Sequence, residues 1–159
     1  MVLRTRKLNE LMKLQEMIAR KVKLCDDFGV DLVGGVDQAF LPRRIISAAI
    51  LCNKYGKVLE KSHFVTSENF SYIPGFLCFR EGRAAISAVK KLKTRPQLLF
   101  VNGCGINHMR GCGLATYVGI LLGMATIGIT KKLLCGAYVP PLNGRASSIF
   151  YRGRRVGLP

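Results

Sequence analysis

Between Leu8 and Leu24 the apolar residues Leu8, Leu11, Met12, Leu14, Ile18 and Val22 mostly recur at helical spacing, with lysine and arginine between them. This pattern predicts an amphipathic first helix. The segment CDDFGVD breaks the period, and three β-rich runs follow, LVGGVDQAF, RIISAAILCN and KVLEKSHFV. Their connections, LPR and KYG, are too short for crossovers, so an antiparallel meander is expected. After a loop around SYIPGF, residues Leu77 to Leu92 place Phe79, Ala84, Ala85, Ala88, Val89 and Leu92 on one helical face. Pro96 opens the strand QLLFV. The glycine-rich turn NGCGINHMRGCG then leads into a third helix, which Gly123 ends before the strand ATIGI. A helix between these strands argues for parallel pairing on the right-handed rule. The tail shifts to Pro, Gly and Arg and is expected to hold one short strand, SIFY, before a loose basic end.

Three antiparallel strands followed by a βαβ unit give an α/β architecture, a ribonuclease-H-like mixed sheet with helices on both faces. With 159 residues, 49% of them hydrophobic, the chain has enough apolar surface for one sizeable core, so residues 1–159 read as a single domain. That layout alone names no activity.

Charge narrows the field of partners. Lysine and arginine number 25 against nine acidic residues, a formal net charge of +16. Such an excess attracts polyanions and supplies affinity for nucleic acid through counterion release. Ribosome association and an acidic membrane surface are the other partners this charge admits. The uncharged stretch Gly111 to Thr130 has the length of a membrane span, but its five glycines suit a buried helix followed by a buried strand, so no membrane partner is expected. The six cysteines form no CxxC pair, and the charged amino terminus lacks the apolar core of a secretory signal. Reduced thiols, a cytoplasmic location and a monomer are expected. Cys104, His108 and Cys112 are spaced like soft-metal ligands but lack a fourth partner, so they are not read as a zinc site.

Three polar residues lie in or beside apolar elements. Asp37 falls in the middle of the first strand, where a buried carboxylate needs a cation or a donor. Glu81 lies early in the second helix, where the helix dipole alone accounts for a carboxylate. Asn102 ends the fourth strand, a place where ligands gather in open α/β sheets. If Asp37 and Asn102 lie on neighbouring strands with Glu81 approaching from a helix, their oxygens suit a hard cation such as magnesium, with manganese as the alternative.

The blocks GVDQAF, YIPGFLCFRE, LLFVNGCGINHMRGCG and TIGITKKLLCG occur in the order and spacing of the endonuclease V family, and the chain resembles that family from about Leu14 to Gly136. The resemblance implies a nuclease that recognises deaminated adenine, as deoxyinosine in DNA or inosine in RNA, and hydrolyses a phosphodiester on its 3′ side with a divalent ion. It further implies that Asp37 and Asn102 are metal ligands, that Glu81 is a catalytic carboxylate near the metal, that His108 lies near the scissile phosphate, and that Lys131 neutralises developing charge. Tyr72 matches the aromatic of the strand-separating wedge. On physical grounds Ile73 and Pro74 with Tyr72 make a stiff apolar wedge at Gly75, the amides of Gly103 and Gly105 are candidates for reading the extruded base, and Lys132 and Arg154 are candidates for strand contacts. Arg145, Arg152 and Arg155 are further candidates for backbone contacts, because they too surround glycines in the tail.

The chain departs from the family pattern at two points. Asn102 stands where an aspartate is expected, which removes one negative charge from the cation site. GRRVG puts Arg154 in the place of a histidine, and the domain is expected to be shortened at its C-terminus. Two accounts follow: a nuclease with a weakened metal site, or a catalytically degenerate homologue that binds inosine-bearing or structured strands without cutting. Because Gly103 follows Asn102, spontaneous deamidation is a route back to aspartate.

Overall fold

The computed structural model describes residues 2–140 and 147–159. Its elements run α1 (Val2–Ala19), β1 (Leu32–Leu41), β2 (Arg44–Asn53), β3 (Val58–Ser67), α2 (Leu77–Lys90), β4 (Leu98–Asn102), α3 (Leu114–Leu122), β5 (Ala125–Ile129), β6 (Ala137–Val139), β7 (Ser148–Tyr151) and β8 (Arg154–Gly157). The main sheet has the order β3-β2-β1-β4-β5. Strands β1, β2 and β3 pair antiparallel through short turns, whereas β4 pairs parallel with both β1 and β5. This is the mixed sheet that the connection lengths imply.

The helices do not flank the sheet on both sides. Helix α2 packs on β1, β2 and β3, helix α3 packs on β4 and β5, and the two helices pack against each other, which places them on one face. Strand β2 shows why: Ile45, Ser47, Ala49 and Leu51 are buried, while Ala48 and Ile50 between them are exposed. Its nearly continuous apolar sequence suggests burial on two faces, but the side chains alternate as in a sheet covered on one face only. The core lies under the helices, with Val36, Ala49, Leu99 and Val101 from the sheet meeting Ala85, Ala88, Leu114 and Val118. Ser62 on β3 seals its edge by donating to the Ala88 carbonyl at 2.6 Å.

Helix α1 ends at Ala19 rather than near Leu24 and docks on α3. Its buried stripe contains Gln15 and Ile18, while Leu14, an apolar position by sequence, is exposed. The tail is more ordered than its composition implies. SIFY is the central strand of a second antiparallel sheet, β6-β7-β8, and Arg154 opens its last strand instead of a loose end.

Gly123 caps α3 in the left-handed conformation (φ 58°, ψ 49°), and its N–H returns to the Gly119 and Ile120 carbonyls. A Cβ there would meet only Arg95 Nη2, at 3.8 Å, so the demand for glycine is conformational rather than steric. Gly123→Ala is therefore expected to cost about 1 kcal/mol in urea unfolding, with an unchanged m-value.

Candidate nucleic-acid cleavage site

The parallel register between β1 and β4 builds the centre of the site. Val36 pairs with Val101, so the next residues along, Asp37 and Asn102, stand side by side where β4 ends. Asn102 donates from Nδ2 to Asp37 Oδ1 at 2.8 Å, and the Gln38 N–H donates to the same oxygen at 2.7 Å. Asp37 is not buried, contrary to its mid-strand position in the sequence: its side of β1 faces away from the helices and is exposed. The donor that a strand carboxylate calls for is nevertheless present, and it is the Asn102 amide.

Glu81 is buried (7% exposed) and lies in phase with Cys78, Ala85 and Ala88 on the inner stripe of α2. It is not a solvent-facing carboxylate of the first helical turn, where no acidic residue occurs. Burial pushes its carboxyl up to about 7; the Arg80 guanidinium pulls it down and the neighbouring charge of Asp37 pushes it further up. Asn102 thus bonds directly to Asp37, and the buried Glu81 lies within reach of the charge of Asp37. Two carboxylates and one amide carbonyl form a donor set of hard oxygens that fits a divalent cation. Among the described residues no group of three or more His, Cys, Asp or Glu side chains is placed to hold a metal.

The turn from Tyr72 to Gly75 leads into α2, the helix that carries Glu81. Tyr72 is 60% exposed. The Arg80 guanidinium lies 5.7 Å from the Tyr72 ring centre and 4.1 Å from that of Phe40, and it pairs with Glu68 at 2.6 Å. Cation–π contact and a partly buried ion pair therefore hold the side chain of Tyr72 at the base of this turn. Gly75 turns with φ +77°, a conformation that disfavours any side chain.

His108 does not present a free ring to the site. It is buried, its Nδ1 accepts the Arg110 N–H at 3.2 Å, and its Nε2 lies 3.2 Å from the Gly75 carbonyl, to which it must donate. Burial, aided by the Arg110 charge, holds its pKa down at about 4, so the ring is neutral. The glycine-rich turn packs closely elsewhere as well. The Gly103 N–H donates to Ile129 O at 2.9 Å, and a Cβ on Gly103 would sit 2.8 Å from that of Leu114. Gly105 has room, its nearest neighbour being 3.8 Å from a Cβ position. Lys131 and Lys132 follow β5 and are exposed, near the end of the sheet where Asn102 lies. Arg152, Arg154 and Arg155 are exposed on or beside β8; Arg145 lies outside the described residues. No helix among the described residues is long and apolar enough to cross a membrane, and the Gly111–Thr130 stretch splits into α3 and β5.

Three polar residues at the site escape the sequence reading. Gln15, Arg80 and Arg110 supply the bonds that fix the wedge. Only Gln15 leaves a usable trace, since it falls in register with Leu11, Ile18 and Val22 on the stripe of α1 that should be apolar.

A mixed five-stranded sheet with two parallel strands joined through a helix, and oxygen-bearing side chains side by side on β1 and β4, has the ribonuclease-H-like layout of a class of nucleases. The family model for Endonuclease V matches residues 14–158, and the chain belongs to that family. It is 40% identical over 152 residues to the Endonuclease V of Dictyoglomus turgidum, covering 93% of this chain and 67% of that one. The crystal structure of Endonuclease V from Streptomyces avermitilis superposes with a TM-score of 0.83 at 28% identity, over 92% of this chain and 68% of that one. The Ciona intestinalis Endonuclease V, in complex with a 24mer DNA containing an inosine followed by a ribo-adenosine, gives a TM-score of 0.75 at 26% identity, over 81% and 59% of the two chains. The chain spans 41% to 69% of the length of eight of the curated relatives it matches.

The packing around the site has two measurable consequences. The unfolded chain protonates His108 near pH 6.5, whereas the folded chain resists until about pH 4. The unfolded state therefore binds the extra proton between these values, and stability falls as pH drops through them. Between pH 7 and pH 5 this contribution to unfolding free energy should shrink by about 2 kcal/mol. Urea titrations at both pH values should show that part of the loss vanish in His108→Gln. For Asn102, ring closure needs the Gly103 nitrogen to attack the side-chain carbonyl, yet that N–H is committed to Ile129 O within the sheet. Folded protein aged at neutral pH should retain asparagine at position 102 by peptide mass mapping, while urea-unfolded protein deamidates there.

Proposed function

We propose that the chain is a divalent-metal-dependent endonuclease that hydrolyses a phosphodiester on the 3′ side of deoxyinosine in DNA or inosine in RNA. The observation that carries this reading is the hydrogen bond between Asn102 and Asp37 at the end of β4, with the buried Glu81 within reach of the charge of Asp37 and Tyr72 exposed on the turn before α2. The complex of the Ciona relative with inosine-containing DNA supports the substrate class.

Asp37, Glu81 and the Asn102 carbonyl would hold magnesium or manganese; a divalent ion there supplies Lewis acidity toward the phosphoryl oxygen and the attacking water. Glu81 orients that water from the covered side of the site. Lys131 presents fixed positive charge where charge builds on the phosphate. Tyr72, Ile73 and Pro74 enter the base stack, and the rigid turn at Gly75 offsets part of the unstacking cost by keeping the wedge preformed. The Gly103 and Gly105 segments line the space for the displaced base, where the absence of side chains allows close approach. Lys132 and Arg154 contact the strand backbone. His108 contributes by bracing the wedge and not through a free ring nitrogen at the phosphate.

Asn102 weakens the metal site in two ways: it lacks a charge, and its amide N–H occupies Asp37 Oδ1. Asn102→Asp is expected to raise Mn²⁺ affinity, read by calorimetry, by at least about tenfold, and to raise cleavage of an inosine-bearing strand in parallel. Asp37→Ala should abolish cleavage with either metal. An Asp37→Ala protein that cuts as well as its parent, or a parent and an Asn102→Asp variant that both bind inosine strands without cutting them, would overturn the nuclease reading.

A further inference from the structure

One main-chain oxygen, Gly75 O, takes three donors from elsewhere in the chain. Gln15 Nε2 reaches it at 3.1 Å, His108 Nε2 at 3.2 Å and Arg110 Nη2 at 2.5 Å. Gln15 is fully buried on α1 and uses its whole amide. Besides Gly75 O, its nitrogen contacts Cys112 O at 2.9 Å and Cys78 Sγ at 3.3 Å, and its oxygen accepts from Arg110 Nε at 2.7 Å. Arg110 also lies over Phe76, 4.6 Å from the ring centre. This network joins α1, the Tyr72–Gly75 turn, the first turn of α2 that leads to Glu81, and the loop from Asn102 to Gly113.

A turn needs no such anchoring to fold. Phe76 N–H already closes on Ile73 O at 3.0 Å, so the local hydrogen bond of the wedge is made without help. The three additional donors fix the position of the turn relative to the glycine-rich loop. A partly buried carbonyl with three donors, two of them from side chains that also bind each other, resists displacement because any movement leaves several partly buried polar groups unpaired at once.

We infer that Gln15 and Arg110 are positioning residues that set the Tyr72 wedge against the base-reading loop and thereby determine how strongly an inosine-bearing strand is preferred. The inference rests on the function proposed above for the wedge. Gln15 lies on a helix far in sequence from every residue that meets the substrate, and it touches none of the metal-holding side chains, so its loss should leave the affinity for metal unchanged.

The chain contains no tryptophan, so Tyr72→Trp provides a single fluorescent reporter at the wedge. In that background, Gln15→Leu and Arg110→Lys should each lower the indole anisotropy of the free protein, a readout that needs no nucleic acid. In the parent background both variants should reduce the ratio of affinities for inosine-bearing and adenine-bearing strands by about tenfold. Their affinity for the adenine-bearing strand should hold, apart from a small loss in Arg110→Lys. Arg110 is partly exposed, so its lysine variant keeps the test open if Gln15→Leu fails to fold. Unchanged anisotropy and an unchanged ratio in a folded variant would overturn the inference even if Tyr72→Ala loses its preference. A parent without any inosine preference, combined with lowered indole anisotropy in the variants, would instead overturn the substrate reading and leave the positioning of the turn intact.

Discussion

The parallel pairing of β1 with β4 is the constraint on which the site depends. It fixes Asp37 next to Asn102 through a register shared by four residue pairs, from Val33–Leu98 to Val36–Val101. A slip of one residue would turn Asn102 to the opposite face and leave Asp37 without its partner. Buried Val36, Leu99 and Val101 hold that register, since they face α2 and α3 and cannot change sides without exposing the core. The chemistry of the site is thus specified by aliphatic residues that take no part in it.

The amide at position 102 alters the electrostatics of this arrangement. Two carboxylates side by side repel each other, and a cation relieves that repulsion; an amide beside a carboxylate relieves it directly by donating a hydrogen bond. Asn102 therefore stabilises the pocket without a metal and at the same time reduces its pull on one. Glu81 receives no such relief. It is buried, its carboxyl pushed up first by that burial and further by the charge of Asp37, with the Arg80 guanidinium pulling the other way. Arg80 in turn is divided between Glu68 and the rings of Phe40 and Tyr72, which links the electrostatics of the pocket to the seating of the wedge.

Much of this was legible in the sequence because the relevant signals are local. Loop lengths gave the meander, the helix between QLLFV and ATIGI gave the parallel pair, and Gly123 marked a left-handed helix end. The exposure of Asp37 was hidden because alternation says which residues share a face, not which face the helices cover. For the same reason RIISAAILCN could not reveal that Ala48 and Ile50 look outward. His108 sits in a glycine-rich turn that a substrate could approach, and only three-dimensional packing shows both of its nitrogens engaged. Strands β6 and β8 are three and four residues long, too short for a period to emerge, and they exist through pairing with SIFY. Gln15 was legible only as an anomaly, a polar residue in an apolar register whose partners lie 60 to 97 positions away.

The excess of basic residues gains its meaning from how little of it the fold consumes. Among the described residues there are three ion pairs, and two of them, Arg6 with Glu10 and Lys54 with Asp31, join exposed side chains and contribute little to stability. The third, Arg80 with Glu68, is the partly buried one, and it holds the wedge. Most of the 25 cationic side chains therefore face solvent without an acidic partner, which for a folded chain is a cost in self-repulsion. A polyanion laid along the surface removes that cost and releases its own counterions as it binds. The protein thus holds Asp37 and Glu81 in a field that favours phosphate over free cations.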